Sequence, residues 1–192
     1  MAGKQAKILS SDAIDQLLAY AASSRYPLRN TVIVLLSVKA GLRAGETAKL
    51  TWPMIINPDG KIGCIIELQD KAAKKGSGRS IPIHPQLARA LEAWADTQAN
   101  LEGFVIKSER GGPMTPLSIV VWFRIAFERT GLKGCSSHSG RRTFITRAAR
   151  LVHKAGGSLR DVQLLAGHAS IQTTQRYIDG DTDAQRRLVT LI

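Results

Sequence analysis

Arg43 and Glu46 stand three residues apart just after Gly41-Leu42, and His138 and Arg141 repeat that spacing on a second segment. A third segment, LLAGHASIQTTQRY, carries His168 and ends in Tyr177. Arginine presents a planar fork of donors that fits the non-bridging oxygens of a phosphate, histidine moves protons near neutral pH, and tyrosine carries a hydroxyl nucleophile. Breaking a phosphodiester calls for that combination. Its pentacoordinate transition state gathers negative charge, which preorganised positive donors stabilise. The chemistry that the set suits is attack of a tyrosine on a phosphodiester.

Taken singly, each residue has an ordinary reading as well. Arg43 and Glu46 at i,i+3 on a short helix make a common surface ion pair, worth little. Arg141 lies beside an apolar stripe of Phe144, Ile145, Ala148, Ala149 and Val152, where a guanidinium is costly unless a carboxylate or phosphate meets it. Between Arg110 and Asp161 the sole acidic residue is Glu128, so the alternatives are an anionic ligand or a buried stem with the head in solvent. His168 can cap exposed carbonyls after a helix stop at Gly167, and Tyr177 can be a buried aromatic with a hydrogen-bonded hydroxyl.

These residues need helices to hold them, and the sequence supplies the signals. Ser10 to Asp12 can cap an amphipathic helix bearing Ile14, Leu17, Leu18 and Ala21, and Pro27 suits the first turn of an apolar helix that Gly41 stops. A short helix begins near Arg43. Segments 52–56, 63–68 and 79–83 read as three strands of a small antiparallel sheet, the last two joined by the lysine-rich loop 70–78. Pro85 opens a helix with Leu87, Leu91 and Trp94. Thr115-Pro116 opens another with Val120, Val121, Phe123 and Phe127. The last third reads as helical, with Ser158 and Asp161 forming a capping box and Ile171, Thr174 and Ile178 the buried positions of a short helix around Tyr177. The expected fold is α+β, mainly α, with a three-stranded antiparallel sheet, in a single domain over 1–192.

Composition bounds the partners. A formal net charge of +12 favours a polyanion, either nucleic acid or an anionic membrane surface, with salt-sensitive association. The best apolar run, 31–38, is too short to span a bilayer and ends at Lys39, and MAGKQAKILSS has no signal core, so the expectation is a cytoplasmic protein. Cys64 and Cys135 have neither pairing nor metal-ligand spacing, and the four histidines are scattered, so no structural zinc is expected.

In order and local wording, residues 41–50, 138–146 and 164–178 resemble the three signature boxes of the tyrosine recombinases, the phage integrase family. Gly41, Leu42, Arg43 and Glu46 match the first box. His138 and Arg141 give the His-x-x-Arg of the second, and Gly167-His168 with Tyr177 the third. Gly140 stands where the second box usually has leucine, and Arg142 where it often has histidine. The resemblance implies that Tyr177 attacks the scissile phosphate to form a 3'-phosphotyrosine and release a 5'-hydroxyl, with Arg43 and Arg141 clamping the phosphate. It further implies that His138 accepts or relays the tyrosine proton, His168 donates a hydrogen bond to the phosphate, and Glu46 supports the site. The resemblance also implies that a lysine of the 70–78 hairpin loop protonates the leaving oxygen; Lys74, five residues before Arg79, leads by spacing over Lys71 and Lys75.

Double-stranded DNA is the implied partner, with self-association on it, no membrane and no small-molecule cofactor. The family's usual amino-terminal core-binding domain is expected to be absent. The tail after Tyr177 can fold back on its own core or dock on a neighbouring subunit through Leu188, Leu191 and Ile192. Two other functions share the chemistry or the fold: a non-catalytic DNA-binding regulator, and a type IB topoisomerase-like enzyme that nicks and reseals.

Overall fold

The structure is a computed structural model that describes residues 6–70, 72, 73, 78–177, 189, 190 and 192. The chain enters α1, Ser11–Ala22, through Ser10, whose side chain accepts from the Ala13 N–H at 3.1 Å. Ala13, Ile14, Leu17 and Ala21 then face inward at helical spacing. α2, Pro27–Lys39, starts on a proline that has no N–H to leave unpaired, and buries Val32 through Leu36 without a polar face, which makes it the central helix. It packs against α1, against α4 (Pro85–Ala95), and against α6 (Ser139–Leu151). Each of its fully buried Leu, Ile and Val side chains contributes about 1.5–3 kcal/mol of transfer free energy.

Where α6 crosses α2, Gly140 lies against Ser37 and Val38. A β-carbon there would overlap the Ser37 hydroxyl and sit 3.1 Å from Val38 Cγ1. The departure from leucine at this position is thus matched by a close helix crossing.

Between α2 and α4 run α3 (Ala44–Lys49), a 3-10 turn at Trp52–Met54, and strands β1 (Ile65–Leu68) and β2 (Arg79–Pro82). Among the described residues the sheet has two strands, paired antiparallel with Leu68 opposite Arg79 and Ile66 opposite Ile81. The third expected strand, 52–56, is the 3-10 turn. Pro53 fixes a helical φ and has no N–H for a ladder, and the Ile55 and Ile56 N–H groups turn back to the Trp52 carbonyl. One bridge from Ile56 to Ile62 is what remains of the pairing.

α5, Pro116–Arg129, is capped by Thr115 as expected but buries Ile119, Phe123, Ala126 and Phe127, leaving Val120 and Val121 exposed. α7, Leu159–Ala166, begins in the Ser158–Asp161 capping box and ends at Gly167, which takes a left-handed conformation at φ 61°; α8 is Ile171–Gln175. Cys64 and Cys135 are free thiols.

Two apolar clusters result. The larger holds α1 to α5 and the sheet, while the smaller joins α6 to α7 through Ile145, Ala149, Val152, Val162 and Ala166, with Tyr177 packed on its edge. α6 therefore fixes the first two motif segments to the third. Among the described residues no helix is long and apolar enough to cross a membrane.

Candidate active site

Arg141 occupies the first turn of α6 and is 3% exposed. Its Nη1 donates to the Gly41 carbonyl and its Nη2 to the Ala166 carbonyl, each at 2.6 Å. Those oxygens lie at the ends of α2 and α7, where helix carbonyls have no intrahelical partner and the helix dipole is negative. The guanidinium does not reach solvent, contrary to one sequence reading; its partners within the chain are backbone carbonyls, and the anionic-ligand reading stands. Two helix ends that are far apart in the chain are bound through one side chain, and among the described residues no carboxylate forms an ion pair with it. Burial and then the neighbouring Arg43 push Arg141 down to about 10, which still leaves it cationic at neutral pH.

Gly41 makes that approach possible. It sits at φ 65°, and a β-carbon there would collide with the Phe144 ring of α6.

Arg43 begins α3 and reaches Glu46 by two routes. Its backbone N–H donates to Oε2 at 2.9 Å, the N-terminal half of a capping box, and its Nη1 donates to Oε1 at 2.6 Å. Glu46 is buried and also takes the fork of Arg79 from β2, at 3.2 and 3.0 Å. Arg79 Nε donates to the Leu165 carbonyl at 2.8 Å, tying the sheet to α7. Burial alone would raise the Glu46 carboxyl, but hydrogen bonds and charge from Arg79 and Arg43 outweigh it and hold Glu46 below the ordinary carboxylate range. Arg43 and Arg79 thus share the carboxylate of Glu46, Arg141 feels its charge without touching it, and positive charge is left over among these four groups.

His168 follows Gly167 and lies against Arg141, with Nε2 3.2 Å from Nη2. Its Nδ1 is 2.9 Å from the hydroxyl of Thr174, which is fully buried in α8. Burial first, and then the charges of Arg141, Arg43 and Arg79, lower His168 from 6.5 to about 4, so the ring is neutral at pH 7. The Tyr177 ring stacks on this imidazole at 5.4 Å between centroids and 25° between planes. α8 is anchored to α6 where the Thr146 hydroxyl donates to the Tyr177 carbonyl at 3.3 Å. The expected burial within α8 holds at Thr174; Ile171 is half-buried, and Ile178 lies outside the described residues.

Beside this stack lies a pocket of about 310 Å³ whose lining includes His138, Arg141, Arg142, Arg176 and Tyr177. His138 is exposed at the start of α6. Arg43, Arg141, His168 and Tyr177 are therefore gathered, with His138 at the rim. Lys74, Lys71 and Lys75 lie outside the described residues, as do Leu188 and Leu191 of the tail.

Sequence reasoning passed over three contributors. Arg79 served there as a spacing landmark, yet it is the larger influence on Glu46. Thr174 was read as a core position, and it holds His168. Arg142 was noted as a departure, and it lines the Tyr177 pocket, with its Nε buried and unpaired. A buried Glu46 lacking enough local arginines is the signal that points to Arg79; nothing in the sequence pairs Thr174 with His168.

A buried, anion-seeking arginine cluster in a mainly helical fold, with a tyrosine stacked at its edge, defines a class of phosphate-handling domain. A profile of the phage integrase family matches residues 7–183, and the chain belongs to that family. It is 32% identical over 162 residues to the tyrosine recombinase XerC of Myxococcus xanthus, covering 78% of this chain and 50% of that protein. It is 26% identical over 176 residues to XerC of Xanthomonas campestris pv. campestris, covering 91% and 51%. This chain thus spans about half the length of the curated relatives it matches. The crystal structure of XerA recombinase superimposes with a TM-score of 0.75 at 26% identity, over 96% of this chain and 64% of that one. The same fold is found at 18% identity in XerH recombinase bound to a palindromic difH substrate, with a TM-score of 0.72 over 96% of this chain and 52% of that one.

Proposed function

We propose that the chain is the catalytic domain of a site-specific DNA recombinase, which cuts and rejoins strands through a 3'-phosphotyrosine intermediate. The observation that carries this reading is the stack of Tyr177 on His168, whose ring lies against Arg141, a buried cation with no carboxylate in ion-pair contact among the described residues.

Tyr177 attacks the phosphorus, its oxygen forming the new bond as the bond to the 5'-oxygen breaks. The phenol proton leaves through His138 on the pocket rim, and Lys74 protonates the departing 5'-oxygen. Arg43 and Arg141 hold the non-bridging oxygens in line. Glu46 and Arg79 hold Arg43 in place without reacting. The phosphotyrosyl bond conserves the energy of the broken linkage, so a second 5'-hydroxyl rejoins the strand with no nucleotide, metal or other cofactor. The working partner is double-stranded DNA in the cytoplasm, bound through the basic surface, with copies of the protein assembling on it.

The test uses a library of nicked duplexes with randomised core sequence, in which the short cleaved fragment diffuses away and traps the covalent state. Denaturing gels will show a protein–DNA adduct with the parent and none with Tyr177→Phe. Equal adduct in both would move the nucleophile elsewhere, and no adduct in either, with DNA still bound, would favour a non-catalytic regulator. Adduct formation together with relaxation of supercoiled plasmid but no strand exchange would favour the topoisomerase-like activity.

A further inference from the structure

The geometry points to Thr174 as the positioning residue that sets which ring nitrogen of His168 carries the proton, and so whether His168 can donate to a bound phosphate. The inference rests on the recombinase reading for its consequence, but not for its first observable.

Arg141 can only donate. With Nη2 3.2 Å from His168 Nε2, the ligand-free arrangement makes Nε2 the acceptor, which puts the proton on Nδ1 and makes Thr174 Oγ1 its acceptor at 2.9 Å. A phosphate oxygen entering between Nη2 and Nε2 reverses this preference. It accepts from both groups, so it selects the ring with the proton on Nε2. In that form Nδ1 is a bare acceptor inside the protein and needs a donor.

A hydroxyl serves both states, because it can accept from Nδ1–H or turn and donate to a bare Nδ1. A carbonyl or a carboxylate would lock the first state, and a methyl group would satisfy neither. The exchange is balanced: Nε2 takes up one proton from solvent at the open side, Nδ1 returns one to solvent as the short α8 segment opens transiently, and the imidazole stays neutral.

Two features keep the hydroxyl in place. Thr174 is fully buried, and α8 is bound to α6 through the Thr146 hydroxyl and the Tyr177 carbonyl. Thr174 also sits one turn before Tyr177, whose N–H donates to the Thr174 carbonyl at 3.0 Å. The residue that orients the histidine therefore lies on the same short element as the tyrosine stacked against it.

The experiment reads His168 by long-range ¹⁵N–¹H correlation, with and without orthovanadate as an oxyanion probe, in the parent, Thr174→Ser and Thr174→Val. The expected result for parent and serine is a proton on Nδ1 alone and on Nε2 with vanadate. In the valine variant the ring loses that clean exchange. On the randomised suicide duplexes, Thr174→Val forms adduct on the order of 10- to 100-fold more slowly, as loss of a residue orienting a functional histidine does elsewhere, while DNA affinity is unchanged. Thr174→Ser restores the rate to within about threefold, since it keeps the hydroxyl.

The inference is overturned if the ligand-free parent carries its proton on Nε2, if vanadate moves no proton, or if the valine variant forms adduct at the parental rate. Equal impairment of serine and valine would also overturn it, by making the methyl group the important part. A parent that forms no adduct refutes the recombinase reading, while the spectra still decide the role of Thr174.

Discussion

The floor and the rim of the site are built on opposite principles. At the floor, Arg141 and Glu46 are buried, the Arg79 side chain is 6% exposed, and together they bind helix ends, strand and loop to one another. At the rim, His138 is exposed and Tyr177 is half-buried at the end of a five-residue helix. The floor groups thus carry fold stability and charge together, whereas the rim groups carry reactivity at little structural cost. The lesson is that substitutions should separate into two kinds, those that lose stability along with activity and those that lose activity alone.

The largest expected effect comes from the rim. Tyr177→Phe removes adduct formation while changing urea-unfolding stability by less than about 0.5 kcal/mol, the usual range for a change that breaks no buried contact. A comparable loss of stability would place the hydroxyl in the floor network.

Arg141→Lys is the matching floor substitution. A single ammonium cannot span the Gly41 and Ala166 carbonyls, so stability falls by about 1–3 kcal/mol as one of them is orphaned. Adduct formation falls by at least about 10²-fold, the cost of one oxyanion donor. An inactive but fully stable lysine variant would show that the carbonyl ties matter little.

Glu46→Gln tests whether the floor is electrostatic. Breaking a buried pair from one side costs about 3–5 kcal/mol, read in the same unfolding experiment, and here two arginines lose their partner. His138→Gln sharpens the contrast, with adduct formation down about 10²-fold and stability within about 0.5 kcal/mol of the parent.

The last expected effect is the pH dependence of His168. Its folded pKa is lowered from 6.5 to about 4, so below pH 6.5 the unfolded chain binds the proton that the folded chain refuses. Stability contributed by the neutral ring is complete above 6.5, declines as the pH falls, and is gone below about 4. Unfolding curves across that window should therefore be flatter for His168→Gln than for the parent. Identical slopes would assign the acid sensitivity to Glu46 or another carboxylate.

How much of this the sequence disclosed follows from the range of each interaction. The Arg43–Glu46 pair was legible because its partners are three residues apart on one helix, and the caps at Ser10, Thr115 and Ser158 were legible for the same local reason. Arg141 was legible as a cation beside a core stripe, with a buried and a solvent-reaching head both open; its partners were not, because backbone carbonyls carry no residue-type signal and lie 100 and 25 positions away. Arg79 reaches Glu46 across 33 positions, and Thr174 was masked by its β-branched look as a core residue. The strand expected at 52–56 failed because Trp, Met and Ile there satisfy a β pattern that Pro53 breaks. On α5 the run Ile119-Val120-Val121 offered three apolar positions, and only the tertiary crossing selected Ile119 for burial.

The claim that the rim supplies the nucleophile and the floor the charge is tested most directly by locating the covalent bond. Adduct trapped on the randomised duplexes, digested with nuclease and trypsin, should leave its nucleotide remnant on the peptide that begins at Tyr177, immediately after the cut at Arg176. A remnant on any other peptide, or an adduct that persists in Tyr177→Phe, would contradict the account.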